Sequence, residues 1–117
     1  MITVYGLKNC NTCLITLTWL KAESLEHHFI DIRVDVLESE TIIRWISLVD
    51  WEILLNRRGT TWRALSDIDK QTIDKEKFIT LAIEKPTLIK RPVFELQETV
   101  LVGFTDNVCK TLKGLEK

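Results

Sequence analysis

The stretch ITVYGLKNCNTC, residues 2–13, decides how the rest of the chain is read. Ile2, Thr3, Val4 and Tyr5 are β-branched or aromatic and predict a strand that Gly6 stops. From about Thr12 to Glu26, Leu14, Leu17, Leu20 and Leu25 recur near helical spacing and predict an amphipathic helix. Cys10 and Cys13 stand three positions apart at the junction between the two. In HFIDIRVD, residues 28–35, Ile30, Ile32 and Val34 alternate with Asp31 and Arg33, the pattern of a second strand. A strand, a helix and a strand in such quick succession imply that the two strands run parallel.

Residues 37–86 show no convincing strand. Ser39 is placed to cap a helix carrying Ile42, Ile43, Ile46 and Val49, and Asp50 to cap a short one over WEILLN. Gly59 interrupts, TTWRAL reads as a further helical turn, and Asp74 opens a helix that runs to about Lys85 and stops at Pro86. PVFEL and TVLVGF then read as an antiparallel hairpin. Thr105 caps a last helix carrying Val108, Leu112 and Leu115. Setting the helical block aside leaves four strands and two helices. That is an α/β chain of thioredoxin/glutaredoxin type: a four-stranded mixed sheet with an inserted all-helical subdomain. One domain is expected, with residues 1–36 and 87–117 as the thioredoxin-like part and 37–86 as the insert.

Composition narrows the functional classes. The chain has 117 residues, 45% hydrophobic and 28% charged, with a net charge of −1. No global field draws it to nucleic acid, and no basic stripe or recognition-helix signature suggests direct nucleic-acid binding. No apolar run approaches the roughly 20 residues of a membrane helix, so no membrane association is expected. ITVY is reached with no basic segment and apolar run ahead of it, so no signal peptide is expected, and three cysteines are an odd count for a disulfide framework. A reducing, cytoplasmic compartment fits best.

The two cysteines admit three readings. Their spacing is that of half a zinc site, but Cys109 stands alone and His27 and His28 are adjacent, so no metal is expected. They could be two small buried hydrophobes, although the polar residues around them argue for an exposed loop. The redox reading has a mechanism: at a helix start, unpaired N–H groups and the helix dipole stabilise a thiolate. Cys10 would then attack a disulfide or oxidised sulfur, and Cys13, one turn on, or an outside thiol would resolve it. Lys8 adds positive charge, and Asn11 and Thr12 complete the substrate-binding loop.

A second candidate is IKRPVF, residues 89–94. In thioredoxin-like architectures a cis-proline occupies the place of Pro92, facing the active cysteine; the alternative is an ordinary proline opening an edge strand. Arg91 would hold an anion or carboxylate with its planar fork. LLNRRGTTWR, residues 54–63, gathers Arg57, Arg58 and Arg63, either a solvated face or a clamp for an anion or a glutathione carboxylate. Gly59 is expected to take a left-handed conformation at a helix end. Trp19, Trp45, Trp51 and Trp62 read as packing residues, the histidines as surface or strand-start residues, and Cys109 as a buried, inert thiol.

YGLKNCNTC, WEILLNRRGTTWRAL and KPTLIKRPV together resemble the arsenate reductase family of the glutaredoxin-coupled type, which includes the Spx regulators and the YffB-like subgroup, closest to the latter. The resemblance covers essentially the whole chain. It implies that Cys10 is the nucleophile, with Arg91 and the cis-proline Pro92 beside it. It implies a thiol-disulfide oxidoreductase with glutathione as co-substrate and no tightly bound cofactor, or an arsenate reductase working with glutaredoxin. For an Spx-like regulator it implies RNA polymerase α subunit as partner. The chain departs from the family's arginine triad: the first arginine falls near Asn56, the third would lie in VLVGF, and Arg91 alone matches cleanly.

Overall fold

A computed structural model describes residues 1–35 and 37–115. Two compact units appear: residues 1–35 with 91–115, and residues 37–90.

In the first unit, β1 (Ile2–Gly6) leads through a short loop into α1 (Asn11–Ala22) and back into β2 (His27–Asp31). β1 and β2 are parallel, with Val4 opposite Phe29. After residue 90 the chain returns as β3 (Val93–Glu95), antiparallel to β1, then as β4 (Val100–Val102), antiparallel to β3. The mixed sheet has the order β2-β1-β3-β4. Ile2 and Val4, Leu20, Phe94, and Val108 and Leu112 of α7 (Asp106–Leu115) form its core. Thr105 Oγ1 accepts the Val108 N–H at the start of α7, as its sequence position suggests.

The second unit is helical: α2 (Ser39–Ile46), α3 (Trp51–Leu54), α4 (Thr60–Arg63), α5 (Asp67–Gln71), α6 (Lys75–Glu84) and a 3-10 turn, Pro86–Leu88. Ile42, Trp45, Leu54, Leu65, Phe78 and Ala82 are buried. The Asp50 side chain caps α3 through the Glu52 N–H, and that of Asp74 caps α6 through the Lys77 N–H. The unit runs past Pro86 because the returning chain is tied to residues 54–56: Leu55 bridges Ile89, Leu88 O accepts the Asn56 N–H, and Leu54 O accepts the Lys90 N–H.

Several local expectations change. α1 ends at Ala22, where Ser24 turns the chain at a φ of 56°. Its buried face is Cys13, Thr16 and Leu20; Leu17 and Leu25 pack against the core as their spacing suggests, and only Leu14, 49% exposed, falls outside. β2 stops at Asp31, because the Asp31 carboxylate accepts the Arg33 N–H and turns the chain before Ile32 and Val34 can extend it. Glu38 rather than Ser39 is the cap residue of α2, which buries Ile42 and Trp45 and leaves Ile43 outside. Leu115 is likewise exposed. α5 was not anticipated; its cap is Ser66, accepting from the Asp69 N–H.

Gly59 is not left-handed. It precedes α4 in an extended conformation, φ −84° and ψ 163°. A Cβ there would lie 2.8 Å from Asn56 Nδ2, so close approach is what asks for glycine.

Asp74→Ala is expected to lower stability by about 1 kcal/mol, the usual worth of an N-cap, read as a lower urea midpoint with the mixed sheet retained.

Candidate functional site

The site lies where β1 hands over to α1. Leu7 is buried, Lys8 and Asn9 turn at the surface, and Cys10, half-buried, occupies the N-cap position of α1. The Cys10 carbonyl accepts the Leu14 N–H and so opens the helix, and its extended φ and ψ of −95° and 123° are those of an N-cap residue. Asn11 and Thr12, the first two residues of α1, are exposed beside it.

Cys13, one turn on, is 0% exposed. Its sulfur fills the space above Gly6: a Cβ at Gly6 would come within 2.6 Å of Cys13 Sγ and 3.3 Å of Phe29 Cε1. Both cysteines are free thiols. From the other side comes Arg91, half-buried, at the start of the returning chain and joined to the buried Pro92 by a cis peptide bond. The Pro92 carbonyl accepts the Gly103 N–H at 2.8 Å, which ties this turn to the end of β4.

The acidities of the two thiols are shifted in opposite directions. Partial burial opposes ionisation of Cys10, but the Cys13 N–H, the Cys13 side chain and the Arg91 guanidinium outweigh it and hold the thiol below its ordinary value. These groups favour the anion over the thiol. Burial pushes the Cys13 thiol up to about 11; a backbone hydrogen bond with Leu7 opposes the rise, and the neighbouring Cys10 sulfur adds to it. At neutral pH the arrangement is therefore a thiolate-prone, accessible Cys10 backed by a protonated, buried Cys13. Cys109 in α7 is half-buried rather than fully enclosed, and burial, with Asp106 and Glu23 nearby, raises its thiol.

The other candidate residues are placed as follows. The Lys8 N–H donates to Asp31 Oδ2, and the Lys8 charge acts on that carboxylate. Arg57, Arg58 and Arg63 belong to the second unit. The Arg57 guanidinium lies 5.7 Å from the Trp62 ring centroid. Arg63 donates to the Arg58 and Gly59 carbonyls, and the Arg58 N–H donates to Asn56 Oδ1. These contacts brace the 56–63 loop itself. Among the described residues no three His, Cys, Asp or Glu side chains are grouped so as to hold a metal ion, and no helix is long and apolar enough to cross a membrane. Asp31, buried at the end of β2, was not anticipated as part of the site; its place in an alternating strand pattern concealed it.

Residues 5–112 match the family model described as ArsC family. The chain belongs to the ArsC family. It is 41% identical over 106 residues to an uncharacterized protein of Haemophilus influenzae, covering 91% of this chain and 93% of that one. It is 27% identical to the regulatory protein MgsR of Bacillus subtilis, over 88% of this chain and 82% of that one. Among solved structures it resembles the YFFB protein, with a TM-score of 0.90, 35% identity and 96% and 98% of the two chains covered. It also resembles an arsenate reductase (ArsC) related protein from Brucella melitensis, with a TM-score of 0.78, 34% identity and 94% and 92% covered. One of these relatives is thus named as arsenate reductase related and another as a regulatory protein.

Two measurements follow from this ArsC-family site. Iodoacetamide is expected to modify Cys10 at pH 7 faster than free cysteine, and faster than Cys13 or Cys109, as read by peptide mass spectrometry. Alkaline stability tests Cys13. A thiol whose folded pKa is raised contributes stability that is fully present below the unfolded value of about 8.5 and is lost as pH rises through about 11. Between those values the wild-type melting temperature is expected to fall more steeply than that of Cys13→Ala.

Proposed function

We propose that the protein is a thiol-dependent reductase of the ArsC family, glutathione-dependent, acting in the cytoplasm through Cys10. The observation that carries this reading is the Cys10 sulfur at the head of α1, with the Arg91 guanidinium beside it and the buried Cys13 behind it. In the first step the Cys10 thiolate attacks one sulfur of a substrate disulfide. The S–S bond breaks, and the second sulfur leaves as a thiolate that takes a proton from water. Arg91 favours the Cys10 anion beforehand and faces the incoming group as a fixed cation. A first glutathione thiolate then attacks the Cys10 sulfur of the mixed disulfide and releases the substrate's first thiol, leaving Cys10 bound to glutathione. A second glutathione frees Cys10 as oxidised glutathione departs, so one disulfide is reduced for two glutathiones oxidised. Cys13, buried and held protonated at neutral pH, serves as donor to Cys10 rather than as resolving nucleophile.

Arsenate is the alternative substrate, with glutaredoxin as reductant. It is supported by the Brucella melitensis relative and weakened by the placement of Arg57 on Trp62 and of Arg63 on backbone carbonyls. The relative named as a regulatory protein, MgsR, favours a third reading, a regulator; its partner would be RNA polymerase α subunit and its switch a Cys10–Cys13 disulfide.

Mass spectrometry after treatment with oxidised glutathione separates the reductase from the switch, and arsenate turnover with glutathione and glutaredoxin, against a Cys10→Ser variant, decides the alternative substrate. A Cys10–glutathione adduct is the expected product. An internal Cys10–Cys13 disulfide would move the case to the switch, and an unmodified Cys10 would end the reductase reading. Arg91→Ala is expected to slow Cys10 alkylation at pH 7, because it removes a guanidinium that favours the Cys10 anion.

A further inference from the structure

The loop from Leu7 to Cys10 decides where the reactive sulfur sits, and little in the loop itself holds it. Lys8 and Asn9 are exposed, and inside the loop the Cys10 N–H reaches Leu7 O at 3.3 Å. Across from it stands Asp31, the last residue of β2, 8% exposed. One carboxylate oxygen, Oδ2, accepts the Lys8 N–H at 3.1 Å, and the other, Oδ1, accepts the Arg33 N–H at 2.9 Å. The Val34 N–H also acts on the carboxylate. A buried carboxylate is costly unless its oxygens are satisfied, and here backbone donors from two separate segments satisfy them. The main chain repeats the tie, since the Ile32 N–H donates to Gly6 O at 3.0 Å.

We infer that Asp31 is a positioning residue for Cys10: its carboxylate latches the active loop to the end of β2 and so keeps the Cys10 sulfur against the Cys13 N–H and Arg91. The inference rests on the reductase reading and extends it to a residue that touches neither sulfur. The latch acts through geometry, which gives it a distinctive sign. Asp31 is an anion, so losing its charge through space alone would make Cys10 easier to ionise. Losing the latch lets the loop drift from its donors and makes Cys10 harder to ionise.

The experiment is the pH profile of Cys10 alkylation by iodoacetamide in the full chain, wild type against Asp31→Asn. The expected result is a midpoint moved upward by about half a pH unit or more. An unchanged midpoint, or one moved downward, would overturn the latch. Asp74→Ala serves as a control that weakens the fold at α6; its profile is expected to stay in place, so a shift in Asp31→Asn cannot be put down to lower stability. The parent reading is tested separately, by whether wild-type Cys10 outpaces free cysteine; the latch is read from the difference between two profiles. Should Asp31→Asn not fold, amide hydrogen exchange in the wild type decides. The Lys8 N–H is expected to be protected despite its exposed side chain, and exchange at the rate of an unstructured amide would overturn the proposal.

Discussion

A single sulfur held ready to ionise at the head of α1 organises the first unit. Helix starts present backbone N–H groups without intrahelical acceptors, and an oxygen side chain usually takes them. Here the N-cap is a cysteine, and what it offers them is best as an anion. The sheet supplies the rest. β1 delivers Cys10 at its end, the turn before β3 delivers Arg91 opposite, and α1 carries Cys13 underneath. Because β1 is a central strand, flanked by β2 and β3, the strands that lead to the site are fixed by backbone pairing on both sides.

The two cysteines share a motif but not an environment. Three positions along a helix bring side chains to the same side, yet one sits at the rim and the other beneath it, packed on Gly6. The result is a division of labour by burial and charge. The outer sulfur loses its proton readily; the inner one keeps it and can donate. Stabilising a charge on one sulfur is itself part of what keeps the other neutral.

Much of this was legible in the chain. ITVY, the Cys10 junction, the hairpin and the capping residues Asp50, Asp74 and Thr105 carry local signals that tertiary packing did not overturn. The less legible parts were those where a side chain's partner lies elsewhere in the sequence. Leu14 and Ile43 fit a helical stripe by spacing, but which stripe faces inward depends on the surface a helix is laid against. The arginines at 57, 58 and 63 read as a possible clamp because a sequence does not show that Trp62 and the loop carbonyls engage two of them. Asp31 looked like the polar half of an alternation; its true role depends on an N–H 23 residues earlier.

The packing of Gly6 against the Cys13 sulfur carries a consequence for sequence variation. With 2.6 Å between a would-be methyl and that sulfur, the two positions compete for one volume. A homologue that enlarges position 6 must shrink position 13 or bend the start of its first helix, so losing the glycine at the strand end is expected to take the second cysteine with it, whereas losing the cysteine leaves the glycine free to stay.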